Sequence, residues 1–250
     1  MISISLIIPC YNEETNIQKG VLDKIGNFTR SDDRFIEVLI VDDGSTDKTR
    51  SIIREKYLPS FPKMKIIEAR HGGKSAALIT GIKQAQGDYV FFSDIDLATP
   101  IEESEKLIQY AEKGYDVIVG SRNSERKGAP LTRKIMAVGF IYIRTFLIGV
   151  RDIRDTQCGF KMFRRSSAQS IIRKLRVFAS AHTVDGSSVS AGFDLEFLFI
   201  AEKLNYRLIE IPVTWRHVET KNVNFIKDSI ETILDMLHIK FLDMRHQYEL

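Results

Sequence analysis

One stretch of this chain joins a short apolar run to two aspartates, Tyr89-Val90-Phe91-Phe92-Ser93-Asp94-Ile95-Asp96. The run has the length and the aromatic content of a buried strand, so both carboxylates follow its carboxyl end. An Asp-x-Asp pair by itself is usually a solvated loop, but open α/β sheets bind ligands at this edge. Two such carboxylates suit Mg²⁺ or Mn²⁺ while the ion bridges a diphosphate. We therefore expect Asp94 and Asp96 to hold a divalent metal.

The same pattern extends along the first half of the chain, where strand-like runs alternate with helical ones. The runs expected to form strands cover residues 3–10, 36–42, 65–69, 88–93, 116–120 and 207–215. Such alternation is typical of βαβ units around a mostly parallel sheet. Residues 225–244 carry apolar side chains at helical spacing. We predict an α/β, Rossmann-like domain over residues 1–215 with a mostly parallel sheet flanked by helices. A C-terminal extension over residues 216–250 is expected to be amphipathic helix, packed on this domain or on a membrane surface.

A second acidic pair, Asp42 and Asp43, lies at the end of another predicted strand. A carboxylate at this position can accept hydrogen bonds from a nucleotide base or a ribose hydroxyl. The alternative is that Asp42 or Asp47 simply caps the next helix. Both acidic pairs are expected at the same edge of the sheet, because the carboxyl ends of parallel strands meet there.

A glycine turn, Gly72-Gly73, precedes Lys74 at the start of a predicted helix. Gly-Lys-Ser before a helix suggests a phosphate loop, but that pattern requires glycine where this chain has Glu68. An NTPase is therefore disfavoured, while Lys74 can still bind a phosphate at the helix N-terminus.

Composition and charge limit the class of protein. The chain has 250 residues, of which 44% are hydrophobic, which favours one large domain with a substantial core. Two cysteines are too few for a disulfide framework, and the N-terminus lacks the pattern of a signal peptide, so we expect a cytoplasmic protein. The apolar stretch 135–150 is interrupted by Arg144 and is shorter than a membrane-spanning helix.

The net charge of +3 hides an uneven distribution, because residues 120–176 contain fourteen Lys or Arg and three acidic residues. A block of this kind favours phosphates, anionic lipid or nucleic acid as partners, and its alternative is a solvated surface. Nucleic acid is disfavoured, since aromatic residues are not interleaved with the basic ones as in a single-strand platform.

Several segments together resemble, in order and spacing, the inverting family-2 glycosyltransferases with the GT-A fold. These segments are Ile7–Glu14, Val41–Asp47, the Gly73-Lys74 turn, Phe92–Pro100 and Val119–Arg122. The polyprenyl- and dolichyl-phosphate sugar transferases are the most similar branch, and residues 155–161 and 193–196 look particularly like its β-glucosyltransferases. The resemblance covers about residues 4–215.

This resemblance implies a set of site residues. It implies that Pro9, Tyr11 and Glu13 line the nucleotide pocket, that Asp43 meets the base and that Asp94 with Asp96 binds the metal on the donor diphosphate. Arg122 and Arg133 would lie near donor or acceptor phosphates. Mannosyl transferases of this branch usually have glutamine where this chain has Ala98, which favours UDP-glucose over GDP-mannose.

The expected reaction is transfer of a hexose to a polyprenyl or dolichyl phosphate with inversion. A lipid phosphate is largely ionised near neutral pH and attacks without a strong base, since its second pKa is about 6. Asp155, Asp194 and Glu196 are candidates to orient the acceptor or the sugar hydroxyls, with Asp194 ranked first as a base. The alternative is that these three acids are structural partners of nearby basic residues.

The expected partners follow from this reaction. The basic block would attract the cytosolic face of a membrane while residues 135–150 dip into the interface, unless these apolar residues are core. The helix 225–244 would be an interfacial element, a dimer face or a cover for the sheet, and a membrane subunit or a homo-oligomer stays open. The competing functions are mannosyl transfer from GDP-mannose, transfer to a saccharide or protein, and nucleotide binding without catalysis.

Overall fold

A seven-stranded sheet forms the centre of the chain in the computed structural model, which describes residues 1–122, 144–145, 147–150, 153–178, 191–216 and 225–248. Its strands are β1 (Ile4–Cys10), β2 (Phe35–Asp42), β3 (Met64–Glu68), β4 (Tyr89–Phe92), β5 (Val117–Arg122), β6 (Lys161–Arg164) and β7 (Leu208–Val213). Their order across the sheet is β3-β2-β1-β4-β6-β5-β7. Only β6 is antiparallel to its neighbours, so the carboxyl ends of the other six strands face the same way.

Helices cover both faces of this sheet. They are α1 (Glu14–Gln18), α2 (Val21–Arg30), α3 (Thr49–Ile52), α4 (Leu58–Ser60), α5 (Gly73–Gln84), α6 (Ser104–Glu112), α7 (Arg165–Lys174), α8 (Ala191–Lys203) and α9 (Phe225–Met244). A π-helical turn (Ile53–Tyr57) joins α3 to α4, and a 3₁₀ turn (Ile101–Glu103) precedes α6.

The side chains of β1 point alternately to the two faces of the sheet, which shows why both faces must be covered by helices. Leu6 and Ile8 point into the core beneath α1, α2 and α6, whereas Ile7 points into the core beneath α5, α7 and α8. Successive strand residues face opposite sides, so an unbroken apolar run is stable only when both sides are buried. The α/β layering predicted from the sequence is thereby confirmed.

Two local predictions differ from the structure. After β1 the sequence predicts one helix from near Glu13 towards Phe28, whereas the structure has two helices separated at Gly20, whose φ of 80° lies in the left-handed region. Strand β6 was not predicted, because its four residues follow a Gly-Phe pair inside the basic block and are too short to show a period. Its insertion between β4 and β5 brings Lys161 to the edge where their carboxyl ends lie.

No helix within the described residues is long and apolar enough to cross a bilayer. The helix predicted over 225–244 has the observed bounds, and it buries Met236, Ile239 and Leu242 in the same core as α8. The division of the chain at residue 215 stays a prediction.

Candidate active site

The loops after β1 and β2 are fastened to each other by Asn12. Its side-chain oxygen accepts hydrogen bonds from the backbone N–H groups of Thr46 and Asp47, at 2.8 and 3.3 Å, and its own N–H donates to Oγ of Ser45. Asn12 has a φ of 54°, a conformation that asparagine tolerates better than most residues. The next residue, Glu13, donates its N–H to Oγ1 of Thr49 at 2.8 Å. These bonds place Tyr11 and Glu13 beside the acidic end of β2.

Asp43 organises the glycine turn after β3. Its two oxygens each accept a backbone N–H at 2.8 Å, one from Gly72 and one from Gly73, and Nδ1 of His71 lies 2.9 Å from Oδ2. The ring of His71 stacks on that of Tyr11 with centroids 4.3 Å apart. Burial raises the pKa of Asp43, although these hydrogen bonds oppose the shift. A flat aromatic pair therefore lies beside Asp43, the residue that the resemblance implies would meet the nucleotide base.

Asp42 is fully buried and does not line the open site. Its Oδ2 pairs with Nε of Arg50 at 2.5 Å and accepts the N–H of Ser45 at 3.2 Å. None of the surface of Asp42 is exposed in this structure, and its predicted contact with substrate stays a prediction. Asp47 lies one residue before the N-cap Lys48 of α3, and its Oδ1 accepts the N–H of Thr49 at 3.0 Å.

The carboxyl ends of β4 and β5 and the amino end of β6 enclose two adjoining cavities that we call the crevice. The first is lined by Pro9, Lys74, Leu78, Phe92, Ser93, Asp94, Gly159, Lys161 and Asp194. The second is lined by Ser93, Asp94, Ala98, Thr99, Arg122, Gln157, Cys158, Gly159, Phe160 and Trp215. Asp94 lies at the junction of the two cavities.

Asp94 is held between Lys74 and Gly159. Lys74 Nζ forms an ion pair with Oδ1 of Asp94, and a Cβ added to Gly159 would lie only 2.1 Å from Oδ2. Burial acts to raise the pKa of Asp94, but the charges of Lys74, Lys161 and Arg122 outweigh it and hold the pKa below its usual value. Asp94 is thus a stable carboxylate with part of its surface open to the crevice.

Asp96 completes the acidic pair on a tight turn. The turn passes through Leu97, with a φ of 51°, and the N–H of Ala98 donates to Oδ1 of Asp96 at 3.0 Å. Burial raises the pKa of Asp96, and the nearby charge of Asp94 adds to the shift. The backbone oxygen of Ala98 also accepts the N–H of Arg216 at 2.8 Å, which ties this turn to the segment after β7.

A buried ion pair forms the far wall of the first cavity. Lys161 is 2% exposed, and its Nζ lies 2.7 Å from Oδ1 of Asp194, near the start of α8. A buried charge of this kind is costly unless it is paired, so each partner fixes the other. Lys161 was missed by sequence reasoning, because its burial depends on the unpredicted strand β6.

Arg122 and Asp155 form a second pair beside Trp215. Nε and Nη2 of Arg122 donate to the two oxygens of Asp155 at 2.7 and 2.8 Å, and its backbone N–H donates at 3.0 Å. Arg122 also lies 5.9 Å from the centre of the Trp215 ring. Burial acts to raise the pKa of Asp155, but Arg122 lowers it overall. Asp155 therefore fixes the orientation of a cation that lines the crevice.

Glu196 is a buried acid whose carboxylate is hydrogen-bonded to other parts of the protein. Its carboxylate accepts the N–H groups of Arg176, Val177 and Phe178 at 2.7 to 2.9 Å and the hydroxyl of Tyr248 at 2.8 Å. The side chain is completely buried. These contacts favour the alternative of a structural acid for Glu196, and its role in binding substrate stays a prediction.

Arg133 and most of the stretch 135–150 lie outside the described residues. Arg144 belongs to this stretch and is described, and it is 1% exposed. Its guanidinium donates to the backbone oxygens of Ile153 and Arg154 at 2.6 and 2.7 Å. This arginine is therefore an internal brace and not part of a surface for anions.

The donor set fits a hard divalent cation whose remaining ligands come from a diphosphate. In the part of the chain that the structure describes, no three His, Cys, Asp or Glu side chains cluster as a complete metal cage. Asp94 and Asp96 supply two carboxylates, and Mg²⁺ in particular is often bound by one or two carboxylates plus phosphate and water. The Lys74 ion pair shows that the negative charge of Asp94 already attracts a cation.

Comparison with known proteins identifies similar sequences and folds. The sequence model of the family described as "Glycosyl transferase family 2" matches residues 5–172. The dolichyl-phosphate β-glucosyltransferase ALG5A of Trichomonas vaginalis is 32% identical, over 97% of this chain and 77% of that protein. The dolichyl-phosphate β-glucosyltransferase of Saccharomyces cerevisiae is 31% identical over 96% and 74%, and that of Homo sapiens is 32% identical over 86% and 68%.

Solved structures with the same fold are more distant in sequence. Glucosyl-3-phosphoglycerate synthase of Mycobacterium tuberculosis, in complex with Mn²⁺, UDP-glucose and phosphoglyceric acid, superposes with a TM-score of 0.68 at 17% identity, over 96% of this chain and 80% of that chain. Mannosyl-3-phosphoglycerate synthase of Rubrobacter xylanophilus gives a TM-score of 0.68 at 14% identity, over 100% and 76%. At these identities the likeness establishes the fold alone.

Proposed function

The chain belongs to glycosyl transferase family 2 and has its GT-A fold, and we propose that it transfers glucose from UDP-glucose to a dolichyl or other polyprenyl phosphate. One observation carries this proposal: relatives that align with nearly the whole chain at about 30% identity share the name dolichyl-phosphate β-glucosyltransferase. The crevice has the charges that such a reaction requires, since cations and carboxylates alternate around it.

The donor is expected to lie along the carboxyl ends of β1, β2 and β4. The stacked rings of Tyr11 and His71 offer a flat surface for its base, and Glu13 lies on the loop beside them. Asp94 and Asp96 would hold Mg²⁺ or Mn²⁺, which when bound supplies a Lewis acid for the departing diphosphate. Lys74 is at the first turn of α5, where its charge and the helix N-terminus both favour a phosphate.

The acceptor is expected on the side of the crevice lined by Lys161, Asp194 and Arg122. The fixed guanidinium of Arg122 provides donors for a phosphate oxygen, and Asp155 keeps it in place. Asp194 stays oriented through its ion pair and can accept a hydrogen bond from a sugar hydroxyl or a proton from the acceptor. Attack by the lipid phosphate opposite the leaving diphosphate inverts the anomeric carbon.

A membrane surface on the cytosolic side is part of this proposal, because a polyprenyl phosphate resides in a bilayer. The acceptor phosphate in the crevice would be neutralised by Arg122 and Lys161. A membrane subunit or a homo-oligomer stays an additional proposal.

The test is transfer of radiolabelled sugar into polyprenyl phosphate from UDP-glucose and, separately, from GDP-mannose, with Mn²⁺ or with EDTA. We expect a glucosyl lipid whose formation is lost with EDTA and in Asp96→Ala. Asp33→Ala, which changes an exposed aspartate on the turn before β2, is the matched control and should keep full activity.

Each outcome separates one part of the proposal from the rest. A mannosyl lipid would overturn the choice of donor and leave the family and the acceptor standing. Transfer only to a saccharide or protein would refute the lipid acceptor. Nucleotide binding without turnover on any acceptor would refute catalysis.

A further inference from the structure

Lys74 binds the carboxylate that the divalent metal is expected to use. Its Nζ forms an ion pair with Oδ1 of Asp94, at the junction of the two cavities of the crevice. The other oxygen, Oδ2, faces Gly159, where an added Cβ would lie only 2.1 Å away. The side chains of Asp94 and Lys74 are 42% and 26% exposed, so the pair is open to the crevice. A cation that enters the crevice therefore meets Asp94 with one oxygen already bound.

The other two cations of the crevice are held more firmly. Lys161 is 2% exposed and pairs with Asp194 at 2.7 Å, and Arg122 donates two hydrogen bonds to the carboxylate of Asp155. A buried pair or a bidentate pair is costly to break, because the partner left behind loses its neutralising charge. Lys74 instead carries a compact charge on a flexible stem at the first turn of α5. Of these three cations, Lys74 has the most freedom to change its partner.

The balance of charge at Asp94 makes the entry of a lone metal ion unfavourable. A divalent ion that arrives by itself must displace Lys74 from Asp94 and leave the ammonium without an anion. Two cations that share one carboxylate lie within about 5 Å of each other, where like charges repel. The same ion bound to a diphosphate brings with it the anion that Lys74 then lacks.

A clamp that only orients Asp94 is the alternative role for Lys74. The backbone oxygen of Asp94 accepts the N–H of Leu97 at 3.3 Å, and Gly159 limits the position of the carboxylate from the other side. The orientation of Asp94 is thus supported without Lys74, whereas a lysine bound to Oδ1 competes with a metal for that oxygen. The two roles predict opposite effects on metal binding when the lysine is removed.

We propose that Lys74 exchanges its partner when the donor binds, from Asp94 to a phosphate of the nucleotide, as a divalent ion takes its place on Asp94. This exchange rests on the proposed function, because the incoming anion is the diphosphate of the donor. The ammonium stays near the N-terminus of α5, where a phosphate is favoured. A metal that enters alone consequently binds weakly, and a metal that enters with the nucleotide binds well.

The experiment measures the binding of Mn²⁺ and of UDP separately, without sugar or acceptor. Electron paramagnetic resonance of unbound Mn²⁺ gives the Kd of the metal alone, and calorimetry gives the Kd of UDP in saturating Mn²⁺. The variants are Lys74→Met and Lys74→Gln, which both remove the charge, while glutamine can still donate a hydrogen bond. Lys83→Met is the matched control, because Lys83 is an exposed lysine in the last turn of the same helix. The Tm shows whether each variant is folded.

The two measurements should change in opposite directions. We expect both Lys74 variants to bind Mn²⁺ alone about threefold to tenfold more tightly than the wild type, because the competing ammonium is absent. Both should bind UDP in saturating Mn²⁺ at least about tenfold more weakly, because a charged hydrogen bond to phosphate is lost. Lys83→Met should change neither Kd.

Mn²⁺ binding that is unchanged or weaker in both Lys74 variants would overturn the exchange, and weaker binding would favour the clamp. Unchanged UDP binding would also overturn it, since Lys74 would then have no second partner. A wild type that binds Mn²⁺ but no UDP would refute the donor of the proposed function. The measurement with Mn²⁺ alone would in that case still support or overturn the competition at Asp94.

Discussion

Gly159→Ala tests whether the position of the Asp94 carboxylate controls the reaction. The added Cβ would lie 2.1 Å from Oδ2 of Asp94 and 2.6 Å from its Cγ, whereas ordinary contacts begin at 3.4 Å. The carboxylate must therefore move by about 1 Å, and a misplacement of that size costs about a hundredfold in rate where geometry is critical. The net charge and the two carboxylates are retained.

The assay measures kcat/KM for glucosyl transfer over a range of Mn²⁺ concentrations, together with the Tm. We expect a loss of about 30- to 100-fold in kcat/KM and a higher Mn²⁺ requirement, with a small change in Tm because the end of one side chain can move aside. Gly20→Ala is the control, since Gly20 has a φ of 80° and its added Cβ meets no atom closer than 3.6 Å. It should lower the Tm through backbone strain while kcat/KM stays unchanged.

Full activity of Gly159→Ala with an unchanged Mn²⁺ requirement would refute the reasoning. It would mean that the carboxylate of Asp94 does not need its observed position. A variant that is inactive because it is unfolded would be recognised by a lowered Tm and by loss of UDP binding.

Three further predictions concern Asp194, Glu196 and Asp96. Lys161→Met should lower the free energy of unfolding by about 3 kcal/mol, because it leaves Asp194 without its partner. The double variant Lys161→Met with Asp194→Asn should regain most of the Tm but not the activity. Full activity of the double variant would contradict a role for this pair. Glu196→Gln should lower the Tm by about 4–8 °C while the folded enzyme keeps its KM values for both substrates, and a changed acceptor KM would reverse the structural assignment. Burial raises the pKa of Asp96, so titrations with Mn²⁺ and UDP should show weaker binding as the pH falls through that raised pKa. The weakening should begin at a higher pH than it would for an ordinary aspartate. Binding that stays constant down to the usual pKa range of aspartate would contradict the shift.

The strands and their acidic ends could be predicted because the signals are local. An unbroken run such as Val38–Val41 is stable only where helices cover both sides of a sheet, so it indicates the layering directly. The parallel arrangement then brings Asp43 and Asp94 to one edge. The family resemblance rests on these same residues, since the site is built on strand ends that the sequence specifies.

The roles of the individual acids could not be predicted in the same way. Asp42 and Glu196 directly follow the apolar residues Val41 and Leu195, and both are completely buried against internal partners, whereas Asp94 keeps part of its surface open to the crevice. Whether a carboxylate faces the crevice depends on which donors the fold brings to it from distant parts of the chain. Tyr248, for example, lies 52 residues from its partner Glu196.

The sequence by itself determined the α/β class, the family and the sheet edge at which we expect the site, because short-range periodicity and motifs encode them. Only the tertiary structure decided that β6 enters the sheet in reverse, that Lys161 is buried against Asp194 and that α9 has one apolar side covered and one exposed. These features arise from pairing between segments far apart in the chain. The physical reason is that burial and electrostatic pairing are properties of assembled surfaces, and no local window of sequence contains both partners.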